Sequence, residues 1–375
     1  MNDRLVSARL GRQGRVRAAM AGAGLEALVL SLGADLPWLS GYEAMPLERP
    51  TVLVVPVDDH PTLVVPRLEA PRVDDDPRLF RLQPWGESED PLAMVADALG
   101  RRRRLAVSDR CWASLLLGLQ ATVPQASWWR ASAVTGPLRA VKDPEELAAL
   151  AAAGAAADVV SAALLAGEIA LVGRTEVAVS EEIGARLRAG GHARVNFAIV
   201  ASGPNAASPH HEPGERRIGP GETVVCDFGG TFRLGDDVGY CSDTTRTVVT
   251  GEPGAELVEL YAVLAEAQEA AVAAVRPGVP CEEIDAVGRR RITAAGHGER
   301  FVHRIGHGIG IEEHEDPYLV GGNPTPLVEG HVFSVEPGIY LPGRMGARIE
   351  DIVVAVADGP RRLNRADRSL RVVDA

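Results

Sequence analysis

Five side chains in the C-terminal half of the chain, Asp227, Asp243, His307, Glu336 and Glu350, each stand in a short segment that reads as a strand or a glycine-rich loop. Four carboxylates and one imidazole make a hard, oxygen-rich donor set suited to a pair of divalent cations. Brought together without metal, they would oppose one another. Two unit charges about 4 Å apart repel by roughly 4 kcal/mol at an effective dielectric near 20, so converging acids must protonate, separate or bind cations.

The local contexts carry the case for convergence. In Val224-Val225-Cys226-Asp227-Phe228-Gly229 an acid interrupts an apolar run, a costly place for a charge unless it is paired or bound to a cation. The competing role for Asp227 is capping the turn at Gly229-Gly230. In the strand that follows, a period of two puts Asp243, Thr245 and Thr247 on one face, so Asp243 can meet Asp227 across a hairpin; a turn role is its alternative. Glu336 ends the apolar run Val332-Phe333-Ser334-Val335 just before Pro337-Gly338. Alternation after Ala347 places Arg348 and Glu350 on one face and Asp351 on the other, without saying which acid faces inward.

His303 and His307 are four apart, the spacing of two metal-binding imidazoles on a helix. Gly306, Gly308 and Gly310 disfavour a helix, and an extended segment still leaves both rings on one side. These glycines allow close backbone approach, but their spacing and the lack of a following helix do not match a dinucleotide-binding loop. His314 follows seven residues after His307, where a surface role is the alternative. His210 and His211 follow Ser208-Pro209 in a loop that would leave either of them exposed.

These groups need a frame. Residues 1–136 read as an α/β domain, with a helix over 10–24, strands over 27–31, 51–55 and 62–65, a helix over 91–99 and a strand over 105–107, punctuated by prolines. A boundary is expected near Pro137 to Lys142. There Asp143-Pro144-Glu145-Glu146 signals a helix start, with Asp as cap, Pro at the first position and Glu three residues after the cap. The second domain, 137–375, is expected to carry helices to about Ala166, over 175–189, 257–275 and 282–295, and strands over 195–201, 223–228, 240–250, 302–311, 332–340 and 347–356. Helix-strand-strand occurs twice, so the class is α/β (α+β) with a pseudo-duplicated C-terminal domain.

Composition narrows the function. A chain of 375 residues with 46% hydrophobic and 24% charged content is expected to form two globular domains. No apolar run is expected to reach the roughly 20 residues that span a bilayer, so no membrane partner is expected. The segment Met1 to Arg17 carries five arginines with no apolar block behind them, unlike a secretory signal, and a cytoplasmic location is expected. Cys111, Cys226, Cys241 and Cys281 lie far apart without a CxxC pair, as reduced thiols do. A formal charge of −12 argues against a nucleic-acid partner. The one basic run, Arg101 to Arg104, reads as a solvated turn.

Taken together and in this order, the segments 196–211, Asp227-Phe228-Gly229, 240–247, 303–317, 333–340 and 348–351 resemble the metallopeptidases of Xaa-Pro aminopeptidase and Xaa-Pro dipeptidase (prolidase) type. That family shares the pita-bread fold with methionine aminopeptidase. The resemblance covers about 139–356, and the first domain is similar to the creatinase-type N-terminal domain, which argues against methionine aminopeptidase itself. It implies that Asp227 chelates one metal, His307 and Glu336 hold the other, and Asp243 and Glu350 bridge. A water or hydroxide between the ions would be the nucleophile and Glu336 its proton acceptor. His210, His303 and His314 match substrate-side histidines, and Arg348 matches the arginine that supports the acids. The implied metal is manganese, with cobalt or zinc as alternatives. The implied partners are a small peptide and a second copy of the chain.

One departure stands out. The Asp227–Asp243 loop is about five residues longer than usual, with Arg233 to Asp237 as an insertion. An odd register shift would turn Asp243 to the wrong face and make Asp236 or Asp237 the rival ligand. Two other functions fit the same resemblance: a metal-dependent hydrolase or lyase acting on a small non-peptide compound, and a non-catalytic interaction protein that keeps the fold. Creatinase works without metal, which the filled ligand positions disfavour.

Overall fold

The computed structural model describes residues 2–235 and 237–374. Two compact units emerge: 1–139 with 235–238, and 140–234 with 239–375.

The first unit runs α1 (Asp3–Gly22), β1 (Ala27–Leu30), α2 (Asp35–Ser40), β2 (Val52–Pro56), β3 (Thr62–Pro66), β4 (Arg81–Trp85), α3 (Pro91–Leu99), β5 (Arg104–Val107), α4 (Ala113–Thr122), β6 (Ser127–Arg130) and α5 (Ser132–Ala140). Its six strands form one mixed sheet in the order β4-β3-β2-β1-β5-β6. The central strands are apolar throughout because both faces are covered, and Val29, Val54, Val64 and Leu105 are fully buried. The first helix starts earlier than its apolar periodicity predicts, at Asp3, because the Asn2 side chain accepts from the Arg4 amide. Two of its arginines, Arg9 and Arg12, are buried. Arg9 is buried against Asp237, and Arg12 donates to the Trp38 carbonyl. The elements that sequence reasoning missed, α2, β4, α4, β6 and α5, lack a clean signal: β4 contains Pro84, β6 is mostly exposed and α5 contains Pro137.

The second unit opens with α6 (Pro144–Leu165), where Asp143 and Glu146 exchange bonds as a capping box. Contrary to expectation, α6 is long and apolar enough to cross a membrane. Much of that apolarity is alanine, and Ala149, Ala153, Ala157 and Leu164 are buried in this unit, as in the core helix of a globular domain. There follow α7 (Glu176–Ala189), β7 (His192–Ser202), β8 (Thr223–Phe232), β9 (Tyr240–Thr250), α8 (Ala255–Ala274), α9 (Cys281–Ala294), β10 (Gly306–Gly308), β11 (Glu315–Leu319), β12 (Val332–Val335), β13 (Gly338–Leu341), β14 (Met345–Arg348), β15 (Asp351–Val356), β16 (Gly359–Arg362) and β17 (Arg371–Val373). Two helices precede each of two sheets, β17-β9-β8-β7 and β11-β10-β12-β15-β16, and β13-β14 form a separate hairpin.

Register decides where the acids point. Asp227 pairs with Thr245, and Gly229 pairs with Asp243. Directly paired residues share a face, and so do residues two apart, so Asp227 and Asp243 lie on the same side of the β8-β9 hairpin. The long loop therefore leaves the register intact. Asp237 pairs with Arg9 in the first unit, and Asp236 lies outside the described residues.

Candidate metal centre

Asp227 and Asp243 stand inside the paired strands β8 and β9, while the other three predicted ligands come from the second sheet and its neighbouring hairpin. His307 is held in β10, a strand shorter than the predicted 302–311, between two glycines. A Cβ at Gly306 would lie 1.9 Å from the Ser334 carbonyl oxygen, and one at Gly308 would lie 2.2 Å from that of Asp316. No side chain fits there, so the glycines are what let β10 seat between β11 and β12. Glu336 follows directly on β12, and Glu350 lies between the end of β14 and the start of β15. The Glu350 amide donates to the Thr245 carbonyl at 3.2 Å, which fastens the end of β14 to β9.

The ambiguity between neighbouring acids is resolved by Arg246. Its guanidinium donates to Asp351 at 2.8 Å, both side chains are almost wholly buried, and Arg362 and Arg368 also reach Asp351. Asp351 is thereby neutralised away from the site. Glu350 faces the other way, its Oε2 accepting from Thr245 Oγ1 at 2.7 Å.

All five expected ligands line one cleft of about 490 Å³, together with His210, His303, His314 and Arg348. Donor atoms of Asp243, His307 and Glu350 lie within 4.8 Å of one another. His307 Nε2 is 3.2 Å from Glu336 Oε1 and 3.8 Å from Asp243 Oδ2, while its Nδ1 donates to the Gly308 carbonyl at 3.1 Å. That bond directs the other nitrogen at the acids, the orientation a metal ligand requires. Asp227 lies beside them, its Oδ2 accepting from Arg348 Nη2 at 2.6 Å.

The electrostatics demand positive charge. Burial, then Glu350, Asp227 and Glu336, push the Asp243 carboxyl well above its ordinary range; burial, then Glu336 and Asp227, do the same to Glu350. Burial pushes Glu336 upward too, but its hydrogen bond with His307, helped by His303 and Arg348, outweighs that and holds it at about 2. Asp227 Oδ1, Asp243 Oδ1 and Glu350 Oε1 are buried without a hydrogen-bond partner among the described residues. Three unmatched buried carboxylate oxygens facing one cleft are what a divalent-cation site leaves when described by its protein atoms alone. The residues fit the metal.

Around the acids lies a layer of support. Arg348 donates to Asp227, to Thr245 Oγ1 at 3.1 Å, to the Tyr340 hydroxyl at 2.9 Å and to the Pro209 carbonyl at 3.2 Å. Burial pushes the Tyr340 hydroxyl up to about 12, so it stays protonated, accepts from Arg348 and donates to His303 Nε2 at 2.9 Å. The other nitrogen of His303 donates to the Arg304 carbonyl at 2.8 Å, which commits both ring nitrogens within the protein. His314 packs its ring 3.8 Å from that of His307; desolvation, then His307, push it down to about 4, so it is neutral at pH 7. His210 stands exposed at the cleft, whereas its neighbour His211 bonds the buried Glu176 at 2.8 Å. Ser202 and Asn205 also donate to Glu176, so one carboxylate ties down the loop that carries His210.

Sequence reasoning missed Tyr340, Ser334 and Glu176. Ser334 Oγ lies 3.1 Å from Glu336 Oε1 and accepts the His307 amide at 3.0 Å. Its signal was a lone hydroxyl two residues before an acid in an apolar strand. Glu176 gave none, because a glutamate in a first helical turn is ordinary.

Comparison with known proteins fixes the family. A model of metallopeptidase family M24 matches residues 148–357, and one of the creatinase/prolidase N-terminal domain matches 12–141. The chain belongs to metallopeptidase family M24. Relatives span almost its whole length. A probable dipeptidase PepE of Mycobacterium tuberculosis is 43% identical over 360 residues, covering 95% of this chain and 94% of its own. The Xaa-Pro dipeptidase of Lactobacillus helveticus is 37% identical over 350 residues, covering 90% and 92%. In structure, dipeptidase PepE of Mycobacterium ulcerans superposes with a TM-score of 0.90 at 43% identity, with 98% of each chain covered. A recombinant prolidase from Thermococcus sibiricus gives 0.88 at 36%, covering 96% and 98%. The fold is therefore the M24 pita-bread domain behind a creatinase-type N-terminal domain, the protein is a peptidase, and membership in this family implies divalent metal ions.

Proposed function

We propose that this M24 peptidase hydrolyses the bond preceding proline in dipeptides, using two divalent cations held by Asp227, Asp243, His307, Glu336 and Glu350. One observation carries the reading: these five donors share a cleft in which three buried carboxylate oxygens lack any partner among the described residues. The relatives named Xaa-Pro dipeptidase support the substrate. Cations bound there would polarise the scissile carbonyl and supply an acidified water.

The chain's own residues do the rest. Glu336, braced by Ser334, takes the proton from the attacking water and passes it to the leaving proline nitrogen. Arg348 and Thr245 hold Asp227 and Glu350 in place. His210 and His314 are the substrate-side donors for the charge that develops on the carbonyl oxygen. His303 has no nitrogen left for a peptide and braces the wall through Tyr340, a different role from the one the family resemblance implies. Proline explains the specialisation, because its nitrogen carries no hydrogen for a general peptidase to grip.

Manganese is the proposed metal, and four free thiols support a reducing, cytoplasmic setting; the proposal includes a homodimer, which sedimentation tests. The deciding assay is a panel of Ala-Pro, Ala-Pro-Ala, creatine and small acetylated compounds with manganese-loaded protein. Release of proline from Ala-Pro is expected. Turnover confined to the non-peptide compounds, or none at all, overturns the proposal.

A further inference from the structure

The first unit holds a cavity of its own, built where its sheet changes direction. β1 lies between β2, to which the chain passes next, and β5, to which it returns after β4 and α3, and β1 and β5 run parallel. Strand order therefore reverses between β1 and β5, and the crevice beyond the carboxyl ends of two such strands is where open α/β sheets take ligands. A cavity of about 290 Å³ lies there, lined by Ser31 and Leu32 after β1 and by Trp112, Ser114 and Leu115 after β5.

Two helices start at this cavity, and they differ. At α3 the Asp90 side chain accepts from the Leu92 and Ala93 amides, which closes that end. At α4 the capping position is held by Trp112, which has no side-chain oxygen, and the first turn carries no acid. The first amides of α4 are left without an acceptor, at the positive end of the helix dipole. A second observation is independent of that helix. Ser31 and Thr51 line the cavity at 5% and 7% exposure, and neither hydroxyl has a hydrogen-bond partner among the described residues. Buried hydroxyls are normally satisfied, so these two call for a polar group in the cavity. Leu32, Leu47, Pro91, Leu92 and Leu115 make much of the remaining wall apolar. Arg49, the cation of the lining, is already paired with Glu48 and Glu87, and the acids Glu48 and Asp90 in the lining weigh against a doubly charged phosphate.

We propose that this cavity binds a small apolar molecule ending in a carboxylate, which the α4 amides and the Ser31 and Thr51 hydroxyls receive while the leucines and Trp112 cover its apolar body. Free apolar amino acids and simple aryl or alkyl acids share that chemistry. The inference concerns the first unit alone and stands apart from the peptidase reading.

The test is calorimetric titration of the whole chain, treated with chelator, with 3-phenylpropanoate, phenylalanine, phenyl phosphate and 3-phenylpropanol. At least one of the two carboxylic acids should bind with Kd below about 1 mM, and the alcohol at least about tenfold more weakly. Phenylalanine ahead of phenylpropanoate identifies a free amino acid, its ammonium met by Glu48 or Asp90; the reverse order identifies a simple acid. Thr51→Val keeps the side-chain shape without the hydroxyl and should weaken the acid about 2- to 12-fold. Trp112→Asp places a carboxylate on the α4 amides and should abolish binding in protein whose circular dichroism is unchanged. An alcohol that binds as tightly as the acids, a phosphate that binds more tightly, no saturable binding of either acid at about 10 mM, or unchanged affinity in either folded variant overturns the proposal.

Discussion

Replacing Glu350 by glutamine should destabilise the metal-loaded protein and stabilise the stripped one, a reversal of sign that ordinary packing damage does not produce. The substitution keeps the shape of the side chain and an oxygen for Thr245 while removing one charge. Donor atoms of Asp243 and Glu350 lie within 4.8 Å of each other, so their mutual repulsion is about 3 kcal/mol at an effective dielectric near 20. In stripped protein only Arg348 and the Thr245 hydroxyl offset part of that repulsion. Glu350→Gln should then raise Tm by about 6–12 °C, taking 2–4 °C per kcal/mol. In loaded protein the cations contribute about 4 kcal/mol when present at a thousandfold excess over Kd, and loss of a bridging carboxylate should remove most of it. The gap between stripped variant and stripped wild type should also widen with pH. Burial and neighbouring acids raise the folded-state pKa of Glu350, so its protonated form gives full stability below its ordinary 4.5 and loses it as pH rises toward the raised value, a loss the glutamine escapes. Scanning calorimetry at about pH 5 and 8, with and without a chelator, reads all of this. A stripped variant less stable than stripped wild type, or a wild-type Tm indifferent to chelation, would refute the electrostatic reasoning.

Three further outcomes are expected. Burial and Lys142 hold His331 at about 4 against an ordinary 6.5, so folding stability should fall by up to about 3 kcal/mol as pH drops from 6.5 to 4, and denaturant titrations of His331→Gln should lack that share of the slope. Asp351→Ala leaves Arg246 buried and uncompensated and should cost about 3–5 kcal/mol, read as a lower denaturation midpoint; a loss under 1 kcal/mol would contradict the ion-pair account. Glu176→Ala strands donors from Ser202, Asn205 and His211, so it should cost about 1–3 kcal/mol and raise KM for Ala-Pro through a loosened His210 loop, while unchanged KM would detach that loop from substrate binding.

What the sequence reveals follows from how local each signal is. The strand over 240–250 and the capped start of α6 are local, and both appear where periodicity and Asp143 place them. The period of two also places Thr245 on the face of Asp243, and the structure hands it the task of holding Glu350. Choosing between Glu350 and Asp351 needed a residue about a hundred positions away, Arg246, because alternation fixes which side chains share a face and not which face turns inward. The support from Tyr340 and Glu176 is likewise long-range.

The most direct test is anomalous diffraction from crystals grown with manganese. Two peaks should lie in the cleft, one against Asp227, the other against His307 and Glu336, both touching Asp243 and Glu350. A cleft without manganese at millimolar concentration, or a single ion held away from these acids, would contradict the account.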